Sequence, residues 1–350
     1  MQAVYYEGNK TMTAGAAPEA KPGPGEVRIR VAYAGICGTD LHIYLGHMDQ
    51  RVKLPQIMGH EMSGVIEDVG EGVDSLHPGD RVTVMPLHPC GECPACEAGH
   101  GHICHKLKFL GIETPGAFQT FWTVPAFTVL KLPDQLPLDL AAMIEPLAVA
   151  CHDVRMGEVA PGEYAVVIGG GPIGALIALV ARANGARVLV SEINPHRLEL
   201  LAKLGFETVN PLETDVAQLV NERTGNAGAD VVFEVTSSQA GAELMTKLPR
   251  TRGRIVVVGI FGKPPAVDLH RFFWRELRLL GARVYEREDF SRAIELAAAG
   301  TLPLQALITD VLPLDRVEEG FRLMTGGGNA MKILLRCDPQ AEAEQPHLQP

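Results

Sequence analysis

The stretch YAVVIGGGPIGALIALVARANGARVLVSE, residues 164–192, limits what this chain can fold into more than any other. An apolar run enters G-x-G-x-x-G, formed by Gly169, Gly171 and Gly174, and leaves through a small-residue helical pattern into a second apolar run. In such a turn the first glycine permits the tight bend and the second lets a pyrophosphate approach the backbone. The third lets helix and strand pack closely, with the helix N-terminus facing the phosphates. The alternation continues through PHRLELLAKLG, ADVVFEV, QAGAELMTKL and GRIVVVG. Strands and helices in turn predict βαβ units on a parallel sheet, a doubly wound α/β fold. Glu192 closes the second strand, where a carboxylate can accept hydrogen bonds from both ribose hydroxyls and repel a 2′-phosphate. The expected cofactor is therefore NAD in preference to NADP, with Arg197 close enough to reach the adenosine edge. Ile173, Val258, Gly259 and Ile260 join these as expected cofactor contacts. The competing reading is a tight turn in a nucleotide-free α/β domain, with Glu192 on its surface.

The flanking regions read differently. Up to about residue 150 the chain is rich in Gly and Pro, with short β-branched runs such as Val27 to Ala32 and Val65 to Val69, which predicts a mainly antiparallel β domain. After the α/β region come an amphipathic segment, DFSRAIELAAAG, and a run ending at MKILLRC. The simplest layout inserts the α/β domain, residues 154–287, into a β domain made of 1–153 and 288–337. The polar, Pro-containing end, 338–350, is expected to be disordered. Forty-two acidic against thirty-one basic residues leave a net charge of -11 without a basic run, which argues against nucleic acid and anionic membrane as partners. The opening MQAVYYEGNK has no charged-then-apolar leader and no apolar run spans a bilayer, so the expected location is the cytoplasm.

Seven cysteines, mostly clustered, suit metal ligation or catalysis better than disulfides in a reducing compartment. Cys90, Cys93, Cys96 and Cys104 follow C-x2-C-x2-C-x7-C. Four thiolates from one loop close a tetrahedral shell around zinc and leave no open position, which makes the site a structural clip. The rival is an iron-sulfur cluster, whose bacterial run continues x3-C-P where this one continues x7-C. His88, His100, His102 and His105 crowd the same stretch, each reading as a solvated loop residue. Elsewhere Cys37 lies in GICGTDLHIY, His60 and Glu61 in PQIMGHEMSGVIEDVG, and Glu145 in AAMIEPLAVACHDV. One thiol, one imidazole and one or two carboxylates from separate segments suit a catalytic zinc with an open position. Taken singly, each reads as packing or a helix-start carboxylate.

GICGTDLH, GHEMSGVIEDVGEGV, GDRV, the four-cysteine lobe, EPLAVACHDV and VVIGGGPIG, in this order, resemble the zinc-dependent medium-chain dehydrogenases, nearest to their polyol, butanediol and threonine branch. The resemblance implies a GroES-like catalytic domain beside the Rossmann domain, and hydride transfer between a secondary alcohol, on a polyol or vicinal diol, and NAD. It implies Cys37, His60 and Glu145 as catalytic-zinc ligands, Glu61 beside the metal and able to enter its ligand shell, and Asp40 orienting His60. It implies Thr39 and His42 as a proton relay from the alcohol to solvent. Gly38 stands where liver-type alcohol dehydrogenases carry a pyrophosphate-binding Arg. Tyr44, Phe109, Glu113 and Trp122 are candidate pocket residues. A threonine 3-dehydrogenase-like activity and a non-catalytic NAD(P)-binding relative stay open, as does a redox or metal-storage role for the lobe. Cys151 reads as a buried apolar residue and Cys337 as a terminal free thiol. Relatives of this kind imply a homodimer or homotetramer.

Overall fold

The computed structural model describes residues 2–17 and 21–344. The chain forms two compact units, Met1–Glu145 with Glu286–Pro350, and Pro146–Tyr285. It thus leaves the first unit at Glu145 and re-enters at Glu286, ahead of the cuts at 153/154 and 287/288 expected from composition.

The first unit is built on a seven-stranded sheet. Its strands lie in the order Val129–Lys131, Arg81–Val84, Glu61–Val69, Glu26–Gly35, Lys332–Arg336 and Ile308–Pro313, with Phe121–Pro125 also paired to Glu26–Gly35. All pairs are antiparallel except the last two strands of the path, which run parallel. Strand Glu26–Gly35 shows how the sheet reads its sequence. Val27, Ile29 and Val31 are fully buried and alternate with partly exposed Arg28 and Arg30, the period of two expected of a half-buried strand. Beyond Val31 the strand is buried on both faces, and this is the part that reaches the candidate site.

One register contact shapes that site. Gly35 pairs with Glu61, and a Cβ on Gly35 would lie 2.1 Å from a Glu61 carboxylate oxygen, so only a residue without a side chain leaves room for the glutamate. On its other edge the same strand pairs with Lys332–Arg336, Gly35 lying opposite Leu334. Lys332 thereby enters from the strand next to the one facing Glu61.

The second unit holds a six-stranded parallel sheet in the order Glu207–Val209, Arg187–Ser191, Tyr164–Ile168, Ala229–Glu234, Pro249–Val257 and Arg278–Gly281. In chain order this is 3-2-1-4-5-6, the doubly wound arrangement whose reversal lies beside the first strand. Tyr164, Val166, Ile168, Leu189, Val232 and Ile255 form part of its core, buried by flanking helices as a sheet covered on both faces requires.

The C-terminal segment departs from the disorder expected from residue 338. Asp338 is buried and pairs with Arg30, Gln340 donates its backbone N–H to the same carboxylate at 2.9 Å, and Pro339–Glu344 winds into a 3-10 helix. A buried acid with a guanidinium partner ties the segment to the sheet, which polar composition alone does not reveal. Residues 345–350 of that expectation lie outside the described residues. Among the described residues no helix is long and apolar enough to cross a membrane.

Candidate active site

Cys37 follows strand Glu26–Gly35 and caps helix Gly38–Tyr44, its sulfur accepting the Thr39 N–H at 3.5 Å. Asp40 closes the box by accepting the Cys37 N–H at 2.9 Å. This reciprocal cap holds thiol and carboxylate on one turn. His60 and Glu61 enter the neighbouring strand, both almost fully buried. One ligand atom from each of Cys37, His60 and Glu61 lies within 4.8 Å of the others.

His60 Nδ1 lies 3.5 Å from Asp40 Oδ1, and both buried atoms lack a closer hydrogen-bond partner. A carboxylate against Nδ1 sets the tautomer that leaves Nε2 for a metal. Burial pushes the imidazole pKa down, but the charges of Asp40 and Cys37 outweigh it and hold His60 well above the ordinary histidine value. Two buried, mutually unsatisfied polar atoms beside a thiol fit a bound cation, because a metal on Nε2 draws the Nδ1 proton toward Asp40.

The sequence reading missed Lys332. Its ammonium lies 2.6 Å from both Glu61 oxygens and donates to the Ile36 carbonyl at 3.3 Å, and the residue is buried with Glu61. Burial pushes the lysine pKa down, yet Glu61, Cys37 and Glu145 outweigh it and raise it above the usual value. The available signal was a lone cation in the apolar run MKILL. Glu145 is buried too, but it stands outside the Cys37–His60–Glu61 group and acts on Lys332 through its charge. It begins the long helix Ile144–Met156, by which the chain leaves this unit. The ligand group assembled here therefore contains Glu61 where the resemblance implied Glu145.

Of the relay residues, Thr39 is half-buried, while His42 is exposed and shares a hydrogen bond with His47 across 3.2 Å between their Nδ1 atoms. His47 was not singled out in the sequence. The Phe109 ring stands edge-on to His60, with centroids 5.2 Å apart. Glu113 accepts the Phe109 N–H at 2.8 Å through one oxygen, and through the other accepts Arg51 Nε at 3.0 Å together with Arg51 Nη2. The other two pocket candidates make these contacts. Tyr44 stacks on Phe321 at 4.5 Å and 4°, and the buried Trp122 donates its indole N–H to the Pro115 carbonyl at 2.8 Å.

In the cysteine lobe the Sγ atoms lie 3.5 Å (Cys93–Cys96), 3.8 Å (Cys93–Cys104) and 3.4 Å (Cys90–Cys104) apart. A tetrahedral zinc with bonds of about 2.3 Å spaces its sulfurs by roughly 3.8 Å. Backbone N–H groups of Cys90 and Lys106 point at Cys104 Sγ at 3.3 Å each. The Cys96 amide, followed by that of His105, brings the Cys93 thiol down to about 6, while burial and the neighbouring thiols push Cys96 up to about 11. All seven cysteines are free of disulfides. His102 is not a solvated loop residue, since its ring sits largely buried at 3.6 Å from Glu286. Cys337, expected as a terminal free thiol, is buried with its sulfur toward the Ala117 carbonyl, and burial raises its pKa.

In the second unit the glycine turn joins strand Tyr164–Ile168 to helix Pro172–Ala183. Gly169 has φ +104°, and a Cβ on Gly174 would lie 1.8 Å from the Gly169 carbonyl oxygen, so both positions require glycine. Glu192 is buried and accepts N–H groups from Gly170 at 2.7 Å, Ile193 at 2.7 Å and Asn194 at 2.8 Å. It braces the loop from below rather than standing free. Arg197 lies 3.9 Å from Glu192, and its guanidinium is 3.5 Å from where a Gly171 Cβ would be. Val258 and Gly259 donate backbone N–H groups to the Glu234 carbonyl at 2.9 Å, which leaves Ile260 exposed at the strand end.

The alcohol dehydrogenase GroES-like domain family matches residues 23–134, and the zinc-binding dehydrogenase family matches residues 172–299. The chain is 52% identical over 340 residues to a 2-dehydro-3-deoxy-L-galactonate 5-dehydrogenase of Pseudoalteromonas atlantica, covering 97% of this chain and 100% of that one. An L-threonine 3-dehydrogenase of Pyrococcus abyssi is 37% identical over 90% of this chain and 92% of its own. The crystal structure of 2R,3R-butanediol dehydrogenase from Bacillus subtilis superposes with a TM-score of 0.89 at 32% identity, covering 96% and 99% of the two chains. The GroES-like sheet, the doubly wound sheet with its glycine turn and these matches along nearly the whole length agree: the chain belongs to the zinc-binding medium-chain dehydrogenases, and is an alcohol oxidoreductase that uses zinc and a nicotinamide dinucleotide.

Proposed function

We propose that the protein interconverts a secondary alcohol of a polyhydroxylated chain, of the sugar-acid kind, and its ketone, with NAD as hydride carrier. The observation carrying this reading is the convergence of Cys37, His60 and Glu61 within 4.8 Å, with Asp40 against His60. Cys37, His60 and a carboxylate would hold the catalytic zinc, while Cys90, Cys93, Cys96 and Cys104 would hold the structural one. Zinc supplies Lewis acidity that lowers the alcohol's pKa, and the nicotinamide accepts the hydride. Lys332 engages both oxygens of Glu61, so the third ligand would be Glu145, with Glu61 beside the metal and able to enter its ligand shell. Thr39 would take the alcohol proton and His42, backed by His47, would pass it to solvent. Asp40 holds the His60 ring in its ligating tautomer throughout.

The substrate class is supported by the sugar-acid dehydrogenase at 52% identity, against 37% for the threonine enzyme. The NAD preference rests on Glu192 beneath the glycine turn, with Arg197 as the residue that would tolerate a 2′-phosphate. Assembly into a dimer is supported by the open edge strand Arg278–Gly281, where Leu279 is exposed and Phe273 and Trp274 are exposed just before it. Seven thiols without a disulfide suit the cytoplasm.

The test is NADH formation by zinc-loaded protein with 2-dehydro-3-deoxy-L-galactonate, 2,3-butanediol and L-threonine. Turnover is expected to be strongest with the sugar acid. A clear preference for L-threonine would replace the substrate class, and silence with every alcohol would remove the reading.

A further inference from the structure

We infer that Arg51, held in place by Glu113, recognises the carboxylate of an anionic substrate at this alcohol site; the inference rests on the reading of the Cys37–His60 centre given above. Three contacts lead from the ligating imidazole to the guanidinium. His60 meets the Phe109 ring edge-on, the Phe109 N–H donates to Glu113 at 2.8 Å, and Glu113 accepts Arg51 Nε at 3.0 Å and Nη2 on the same oxygen. One residue, Phe109, therefore separates a proposed zinc ligand from a carboxylate–guanidinium pair. Arg51 also belongs to the segment that carries the relay. It follows helix Gly38–Tyr44 and closes a turn through its backbone N–H on the Met48 carbonyl.

The chemistry of the pair favours an anion. Arginine carries five N–H donors in a planar fork, and Glu113 engages one edge of it. The Arg51 side chain remains half exposed while that of Glu113 is only about a quarter exposed, so the pair does not bury the arginine. A fork fixed at one edge loses little freedom when its other donors bind a second carboxylate in a bidentate pair. The chain carries a net charge of -11, so an anionic substrate approaches against the overall field and needs a placed cation. Glu113 already neutralises Arg51 and accepts the Phe109 N–H, which leaves it a weaker partner for an ammonium than an unpaired carboxylate.

Arg51→Gln, Arg51→Lys and Glu113→Gln, each zinc-loaded, test this by their kcat/KM values for 2-dehydro-3-deoxy-L-galactonate and for uncharged 2,3-butanediol. Arg51→Gln is expected to lower kcat/KM for the acid about 10- to 100-fold more than for the diol, mainly through KM, the range for a lost charge-assisted hydrogen bond. Arg51→Lys should recover part of that difference. Glu113→Gln should raise KM for the acid by less than Arg51→Gln does. Added salt should narrow the difference in KM for the acid between the unsubstituted enzyme and Arg51→Gln. Equal losses on the two substrates would overturn the inference, as would an unsubstituted enzyme that prefers the diol, and both leave the zinc-alcohol reading standing. Failure to oxidise any alcohol is the distinct outcome that removes that reading and this inference with it.

Discussion

Lys332 Nζ lies 2.6 Å from both carboxylate oxygens of Glu61, and the two side chains are only 4% and 1% exposed. Two charges withdrawn from water are tolerated because each neutralises the other, so removing one strands its partner. Lys332→Met should lower stability by about 3–5 kcal/mol, whereas Lys332→Met combined with Glu61→Leu should cost far less. Denaturant unfolding of the three zinc-loaded proteins checks this. Equal losses in the single and double variants would show that the pair is not the source.

Asp40 meets His60 through the Nδ1 side of its ring. Asp40→Asn keeps an acceptor for the Cys37 N–H but removes the charge that sets the imidazole's tautomer. Zinc affinity at this site should fall about 10- to 100-fold, the range for losing a partner of a metal-bound histidine. Competition with a chromogenic chelator measures it, and the cysteine lobe should retain its metal unchanged.

Thr39 sits two residues past Cys37 on the same capped turn. Thr39→Ala should lower kcat by about 10²- to 10⁴-fold, the range for a proton-transfer group. NADH fluorescence titration should show cofactor affinity close to that of the unsubstituted protein, since the glycine turn belongs to the other unit.

Glu192 accepts three backbone N–H groups around the glycine turn. Glu192→Ala should weaken NAD binding and also narrow the preference for NAD over NADP, because it removes both a brace and a negative charge. Arg197→Ala should lower NADP use more than NAD use. The ratio of kcat/KM values for the two cofactors reports both effects.

Much of this was legible from residues whose constraints are local. Gly169 and Gly174 are forced by a positive φ and by a carbonyl that would collide with a Cβ, and the four cysteines lie within one loop whose sulfurs must meet. Long-range partners were not legible. Lys332 stands 271 positions from Glu61 and Arg51 stands 62 from Glu113, so nothing near either residue announces its pairing. Nor does aromatic bulk close to a ligand motif reveal its contacts, since Tyr44 stacks on Phe321 and Trp122 donates to the Pro115 carbonyl. Asp338 shows the same effect at the C-terminal segment, where its partner Arg30 lies 308 positions away.

The most direct test of the central claim is zinc content read alongside alcohol oxidation for the unsubstituted protein and for Cys37→Ala and His60→Ala. The account predicts that each substitution removes one zinc ion per chain and abolishes NADH formation, while NAD binding and the metal of the cysteine lobe persist. Full NAD-dependent alcohol oxidation by protein lacking that zinc would contradict it.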